Sequence, residues 1–295
     1  MATVAEPLAI ALGRKFSSWL PLMILPAAVL VAGLDWPAWI FMWSLSFAIY
    51  AGFKWLTFAD CSVESPVHSR TLTYLLLWPG MDANSYLDQT RATSRPEMDE
   101  WVFATIKLLL GVTLIFLSKF VIQQHALVGG WVGMASIVFV LHFGLLHLLS
   151  LYWRESGIHA VPIMNAPIMA SSLSDFWGRR WNLAFRDLAH TYVFRPFVGS
   201  LGVTGATIAV FVVSGVIHDV AISTASGAGY GLPTLYFVIQ GLGLLFERSR
   251  IGKRIGLGRA VIGRVYCAVL TLAPVGLLFH RPFVEHVVVP MLQAL

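Results

Sequence analysis

The sequence predicts an all-α protein: a polytopic transmembrane helical bundle of about seven to nine membrane helices with an interfacial or re-entrant loop. Hydrophobic residues fill 57% of the 295 positions and charged residues only 12%. With a mean hydropathy of +0.75, the chain has too few polar side chains to cover a soluble surface. Apolar runs near the roughly 20 residues that cross a hydrocarbon core recur along its length. The formal net charge of +5 is gathered into one loop between two such runs. Cys61 and Cys267 show neither a metal-type nor a disulfide-framework spacing. No internal repeat or low-complexity tract divides the chain, so a single membrane-embedded domain over 1–295 is expected.

The candidate spans are 19–34, 36–53, 101–120, 127–153, 201–224, 232–246 and 261–279. Pro21 and Pro26 interrupt the first, and the apolar stretch 72–79 is too short to cross. Arg14 and Lys15 precede the first run as they would in a signal peptide, yet the spans that follow favour a retained helix over a cleaved leader. Between 247 and 264, Arg248, Arg250, Lys253, Arg254, Arg259 and Arg264 stand against Glu247, a net of +5 that equals the charge of the whole chain. The positive-inside rule places this loop in the cytoplasm, together with loops 154–195 and 54–100 and the N-terminus. The same basic loop also suits contact with anionic lipid.

Candidate functional residues follow from cost. Between Arg195 and Glu247 the only acidic, basic or histidine side chains are His218 and Asp219, and an ionisable group inside a bilayer is expensive enough to suggest function. Ser214 lies one helical turn before His218, where it serves helix packing beside Gly215 or orients the ring. Asp219, about 100° round the helix from His218, either assists it or marks the helix end. In the loop 154–195, Trp177 and Trp181 share a helix face next to Arg179 and Arg180. Such a segment lies at the interface with its indoles among headgroups, or else its arginines hold a phosphate-bearing ligand. Ser174 is read as a helix N-cap. His142 and His147, five apart in one run, are too far round a helix to pair on a metal or haem and read as packing residues or as a border of a cavity.

Three strings together resemble one family: Trp78-Pro79-Gly80-Met81-Asp82, the run from Ser172 to Asn182 (SLSDFWGRRWN), and Ser214 to Asp219 (SGVIHD). They look like the wax synthase branch of the membrane-bound O-acyltransferase family, most strongly from about residue 165 to 236. The resemblance implies an enzyme that moves a fatty acyl group from acyl-CoA, as co-substrate and without a further cofactor or metal, to the hydroxyl of a long-chain or other lipophilic alcohol. It implies that His218 and Asn182 are catalytic; Trp177, Arg179, Arg180, Trp181 and Ser214 are expected, from the residues themselves, to bind substrate. The chain is shorter than most members of the family.

Chemistry supports these roles independently. Ester formation needs a base for the hydroxyl proton, and histidine suits that near neutral pH. Burial disfavours imidazolium, and a membrane setting limits the water that would hydrolyse a thioester. Asn182 is either a cap or a donor to the thioester carbonyl as charge develops. The contrasting expectation is a proton-coupled transporter in which His218 and Asp219 form a relay. Membrane lipid is the expected surrounding, no nucleic-acid partner is expected, and the oligomeric state is left open. A multi-pass protein of a bacterial inner membrane is expected in preference to one of the endoplasmic reticulum.

Overall fold

The computed structural model describes residues 5–295, with side chains from Ser17 onward; the side chains of Arg14 and Lys15 lie outside the described residues. Among these residues every regular element is a helix. The principal helices are α1 (Ala5–Ala32), α2 (Ala38–Ala59), α3 (His68–Leu77) and α4 (Met98–Ile122). They continue with α5 (Ala126–Glu155), α6 (Leu183–Ser226), α7 (Leu232–Arg248), α8 (Ala260–Leu278) and a last helical stretch, α9, over 281–294.

This is an integral membrane protein, and α4, α5, α6 and α8 are the described helices both long and apolar enough to cross a bilayer. That count is smaller than the expected seven to nine. α2 carries three tryptophans and Lys54, which lower its hydropathy, and α7 is 17 residues long. α4 shows how such a helix is built. A capping box between Glu97 and Glu100 satisfies its first turn. Phe103, Ile106, Leu109, Phe116 and Phe120 then stand exposed along it, a face suited to hydrocarbon rather than water.

The fold departs from the sequence reading in four places. α1 runs through Pro21 and Pro26 without a break, since neighbouring membrane helices tolerate the missing donors. α2 continues to Ala59, so Lys54 lies within a helix and is buried rather than opening a loop. α6 begins at Leu183 and absorbs the end of the expected loop 154–195, changing direction at Gly202, whose φ of 65° and ψ of 178° break the helical path. Finally, α9 is helical and forms the middle of the core: Phe283, Val284, Val287, Val288 and Leu292 are buried against α5 and its neighbours. Pro290 and its short length hide this element from a search for spans.

Two close approaches position the site. A Cβ on Gly215 would lie 2.6 Å from the Thr234 Cα, so α6 and α7 touch backbone to backbone one turn from His218. The Asp219 carboxylate then accepts from the Gly231 N–H at 2.9 Å, the Thr234 hydroxyl at 2.7 Å and the Ser223 hydroxyl at 2.6 Å. It therefore caps α7 and pins it to α6.

Candidate active site

The stretch from Ser172 to Asn182 is a compact helical turn rather than a floating loop. Its N-cap is Ser172, whose hydroxyl accepts from the Asp175 N–H at 3.0 Å. Ser174, the expected cap, instead accepts from Arg248 Nε at 3.1 Å. Buried Glu247, at the end of α7, accepts from the Leu173 N–H at 2.6 Å and the Ser174 N–H at 3.1 Å. A carboxylate at this helix start also complements its positive end. Leu173 is fully buried in the core, so the turn is packed as well as capped.

Arg179 and Arg180 both close onto Asp175, through Nε at 2.9 Å and 2.7 Å. Arg179 is otherwise open, its side chain 74% exposed, while Arg180 also donates to the carbonyls of Asn165 and Ala166. Burial pushes the Asp175 carboxyl up, but hydrogen bonds from Ser171 and Arg180, with the charges of both arginines, hold it below the usual carboxylate range. The two indoles turn inward. Trp177 donates Nε1 to Gln240 at 3.3 Å and packs on Phe211 and Phe237, and Trp181 stacks on Phe176 with centroids 5.4 Å apart.

The turn ends at Asn182 in the left-handed region, φ 42° and ψ 64°, a conformation asparagine tolerates better than most residues. Its Oδ1 accepts from the Phe185 N–H at 3.1 Å and caps α6. The cap uses the oxygen alone. The two Nδ2 protons have no partner among the described residues and are available to a ligand.

His218 stands opposite. Its Nδ1 lies 2.7 Å from the carbonyl oxygen of Ser214. A carbonyl only accepts, so Nδ1 carries the proton and Nε2 is left as the acceptor. The Ser214 hydroxyl does not reach the ring; it donates to the Val210 carbonyl at 2.8 Å. Phe237 supports the imidazole with centroids 4.5 Å apart. The Asp219 side chain shares no hydrogen bond with that of His218, being committed to Ser223, Gly231 and Thr234. The relay expected of a transporter is not formed.

Two cavities meet at these residues. The larger, about 370 Å³, is lined by Trp177, Trp181, Ser214 and Phe211 among others, with Arg186 and Arg248 as its charged lining residues. The smaller, about 240 Å³, lies between α2, α5 and the start of α6, lined by Ile49, Phe53, His142, Leu188 and Ile217. Asn182, Phe185 and His218 belong to both walls. Pro79 and Met81 also line the smaller cavity, so the outlying Trp78–Asp82 string is brought to the same site. Tyr50 donates to the Trp78 carbonyl at 3.1 Å, and buried Lys54 donates to the Gly80 carbonyl while lying 3.3 Å from the Tyr74 ring centroid.

Arg186, Arg248 and Glu247 were not singled out by sequence as site residues, whereas His142 takes the second of its two expected readings and borders a cavity. Arg186 follows Asn182 by four positions, on the same helix face, which is the one signal it offers; it donates to the Gly178 carbonyl at 3.0 Å and pairs with Asp187. Among the described residues no three His, Cys, Asp or Glu side chains gather as a metal site.

Residues 160–239 match the Membrane bound O-acyl transferase family. The Long-chain-alcohol O-fatty-acyltransferase of Simmondsia chinensis is 31% identical over 142 residues, 44% of this chain and 40% of that protein. Two Arabidopsis thaliana proteins are similar over shorter stretches. Acyl-CoA--sterol O-acyltransferase 1 is 38% identical over 71 residues, 22% of this chain and 21% of that protein. Probable long-chain-alcohol O-fatty-acyltransferase 1 is 41% identical over 71 residues, 21% of each chain. The matched part of the chain thus spans about 40% or less of the length of these relatives, and the family match over 160–239 contains both Asn182 and His218.

Proposed function

We propose, from the match of residues 160–239 to the Membrane bound O-acyl transferase family, that the protein transfers a fatty acyl group from acyl-CoA to the hydroxyl of a long-chain or other lipophilic alcohol. The carrying observation is that His218 and Asn182 form a common wall of two cavities, so a donor and an acceptor reach both groups from opposite sides. The larger cavity takes the thioester, because Arg186 and Arg248 in its lining suit the phosphates of coenzyme A. The smaller, more apolar cavity takes the alcohol.

His218 Nε2 accepts the hydroxyl proton as the alcohol oxygen attacks the thioester carbon. The negative charge that develops on the carbonyl oxygen is met by the Asn182 Nδ2 protons. The C–S bond then breaks, the ester leaves with the new C–O bond, and the proton passes from His218 to the coenzyme A sulfur. The Ser214 carbonyl fixes the tautomer throughout. Trp177, Trp181, Phe211 and Phe237 exclude water that would compete as acceptor. Arg179 and Arg180 serve this reading by holding the turn through Asp175, with Arg179 also free to meet a donor phosphate from solvent.

The experiment supplies acyl-CoA and a long-chain alcohol to membranes containing the protein and measures ester by mass spectrometry. Ester is expected from the wild type and is expected to disappear in His218→Ala. Undiminished ester in that variant removes His218 from the mechanism.

A further inference from the structure

The smaller cavity holds a second histidine for which acyl transfer has no task. His142 lines it together with His218 and Asn182, and its Nδ1 is enclosed without a hydrogen-bond partner. A buried polar atom left unpaired is costly, and nearly all such atoms in folded proteins find a partner. The neighbouring His147 shows the ordinary solution: its Nδ1 lies 2.9 Å from Lys107 Nζ. His142 has no such neighbour.

Its ring is nevertheless held in place. It stacks on Trp181 of the motif turn, with centroids 6.4 Å apart and planes 17° from parallel. It also lies in the π-helical stretch Val138–Leu145 inside α5, a widened turn of the kind that marks functional positions. The hydroxyl of Tyr50, another polar group of this cavity, is already committed to the Trp78 carbonyl. The other ring nitrogen, Nε2, has no hydrogen-bond partner among the described residues and is not enclosed as Nδ1 is, so His142 offers an unspent hydrogen-bonding group in an otherwise mainly apolar chamber that His218 and Asn182 also line.

We propose that His142 is a specificity-determining residue that hydrogen-bonds a second polar group of the acceptor, a hydroxyl or a carbonyl, while the reacting hydroxyl lies at His218. The preferred acceptor is then a lipophilic alcohol bearing a further hydrogen-bonding group, and a plain alkanol is the poorer substrate. A neutral imidazole supplies either a donor or an acceptor for this contact. A site built to pair a polar group discriminates against the analogue that lacks it more sharply than an apolar pocket does. The assignment rests on the reading of the smaller cavity as the acceptor's.

The test uses membranes bearing the full chain as wild type, His142→Gln, His142→Leu and His142→Phe. Each is given acyl-CoA with hexadecanol or with hexadecanediols whose second hydroxyl stands at different chain positions. The quantity read is the kcat/KM of the best diol relative to hexadecanol. The wild type is expected to favour a diol by about tenfold, the value of one buried hydrogen bond. That preference should fall through His142→Gln, which keeps a hydrogen-bonding group, to near parity in His142→Leu and His142→Phe, and the loss should lie in the diol KM. Absence of a diol preference in the wild type, or an undiminished preference in either apolar variant, overturns the assignment. Ester from no alcohol at all in the wild type overturns the acyltransferase reading beneath it, an outcome distinct from the other two.

Discussion

In the proposed reaction one carboxamide, Asn182, has two jobs, one for each end. Oδ1 caps α6 through the Phe185 N–H, and Nδ2, without a partner among the described residues, is the proposed donor to the thioester oxygen. Asn182→Asp separates them, because a carboxylate keeps the capping acceptor and loses the amide donor. Turnover is expected to fall about a hundredfold or more, as for the loss of an oxyanion donor, while the melting temperature in detergent changes little. A matching fall in melting temperature would make Asn182 a structural cap alone. Asp175 supplies a pH signature. Its folded pKa is depressed below the ordinary 3.8, so its contribution to stability is complete above that value and is lost as pH falls through the lower folded one. Thermal melts below about pH 4 should therefore show a steeper loss of stability in the wild type than in Asp175→Asn. His218 was legible as a candidate in the sequence because it and Asp219 are the only acidic, basic or histidine side chains between Arg195 and Glu247. Asn182 was legible only through its pairing with His218 in a family pattern, since an isolated asparagine after tryptophan has many uses. Arg186 and Arg248 were not, and His142 was legible only as one of two readings, because which face of a helix meets a cavity is decided by packing between distant segments.

Helices hold these side chains through a few contacts that can be broken singly. Gly215→Val would drive a side chain into the Thr234 backbone, part α6 from α7, and disturb the Asp219 cap one turn away. A loss of about 1–3 kcal/mol is expected from such overpacking, read as a lower melting temperature together with reduced ester formation. Wild-type stability in that variant would show that the two helices are free to separate. Glu247→Ala removes the acceptor of two N–H groups at the start of the motif turn, and a buried donor left unpaired costs about 1–3 kcal/mol. The apolar runs located α4, α5 and α8 well, because lipid contact demands continuous hydrophobic length. The start of α6 was read as loop since Arg186, Asp187, His190 and Arg195 break its apolar pattern, and those residues are tolerated there because some of them line a cavity. α9 escaped notice for the opposite reason: it is apolar but short, and it is buried in protein rather than crossing a membrane.

At the scale of the molecule, the hydrogen bond from Arg248 to Ser174 places the basic loop after α7 beside the motif turn, at one end of the bundle. Tyr230, in the α6–α7 connection, lies at the other end of α7 and is exposed. In a background lacking Cys61 and Cys267, cysteines at Arg179 and Arg254 should be labelled from the same face of the membrane and a cysteine at Tyr230 from the opposite face. Labelling of Arg179→Cys and Arg254→Cys from different faces would contradict the fold. A donor arriving at the basic end and an acceptor held between α2 and α5 would meet only where the two cavities share a wall. The most direct measurement takes acyl-CoA binding and ester formation on one preparation of His218→Ala beside the wild type. If His218 is the base at that shared wall, the variant binds acyl-CoA with near wild-type affinity and forms no ester. Ester at the wild-type rate would contradict it.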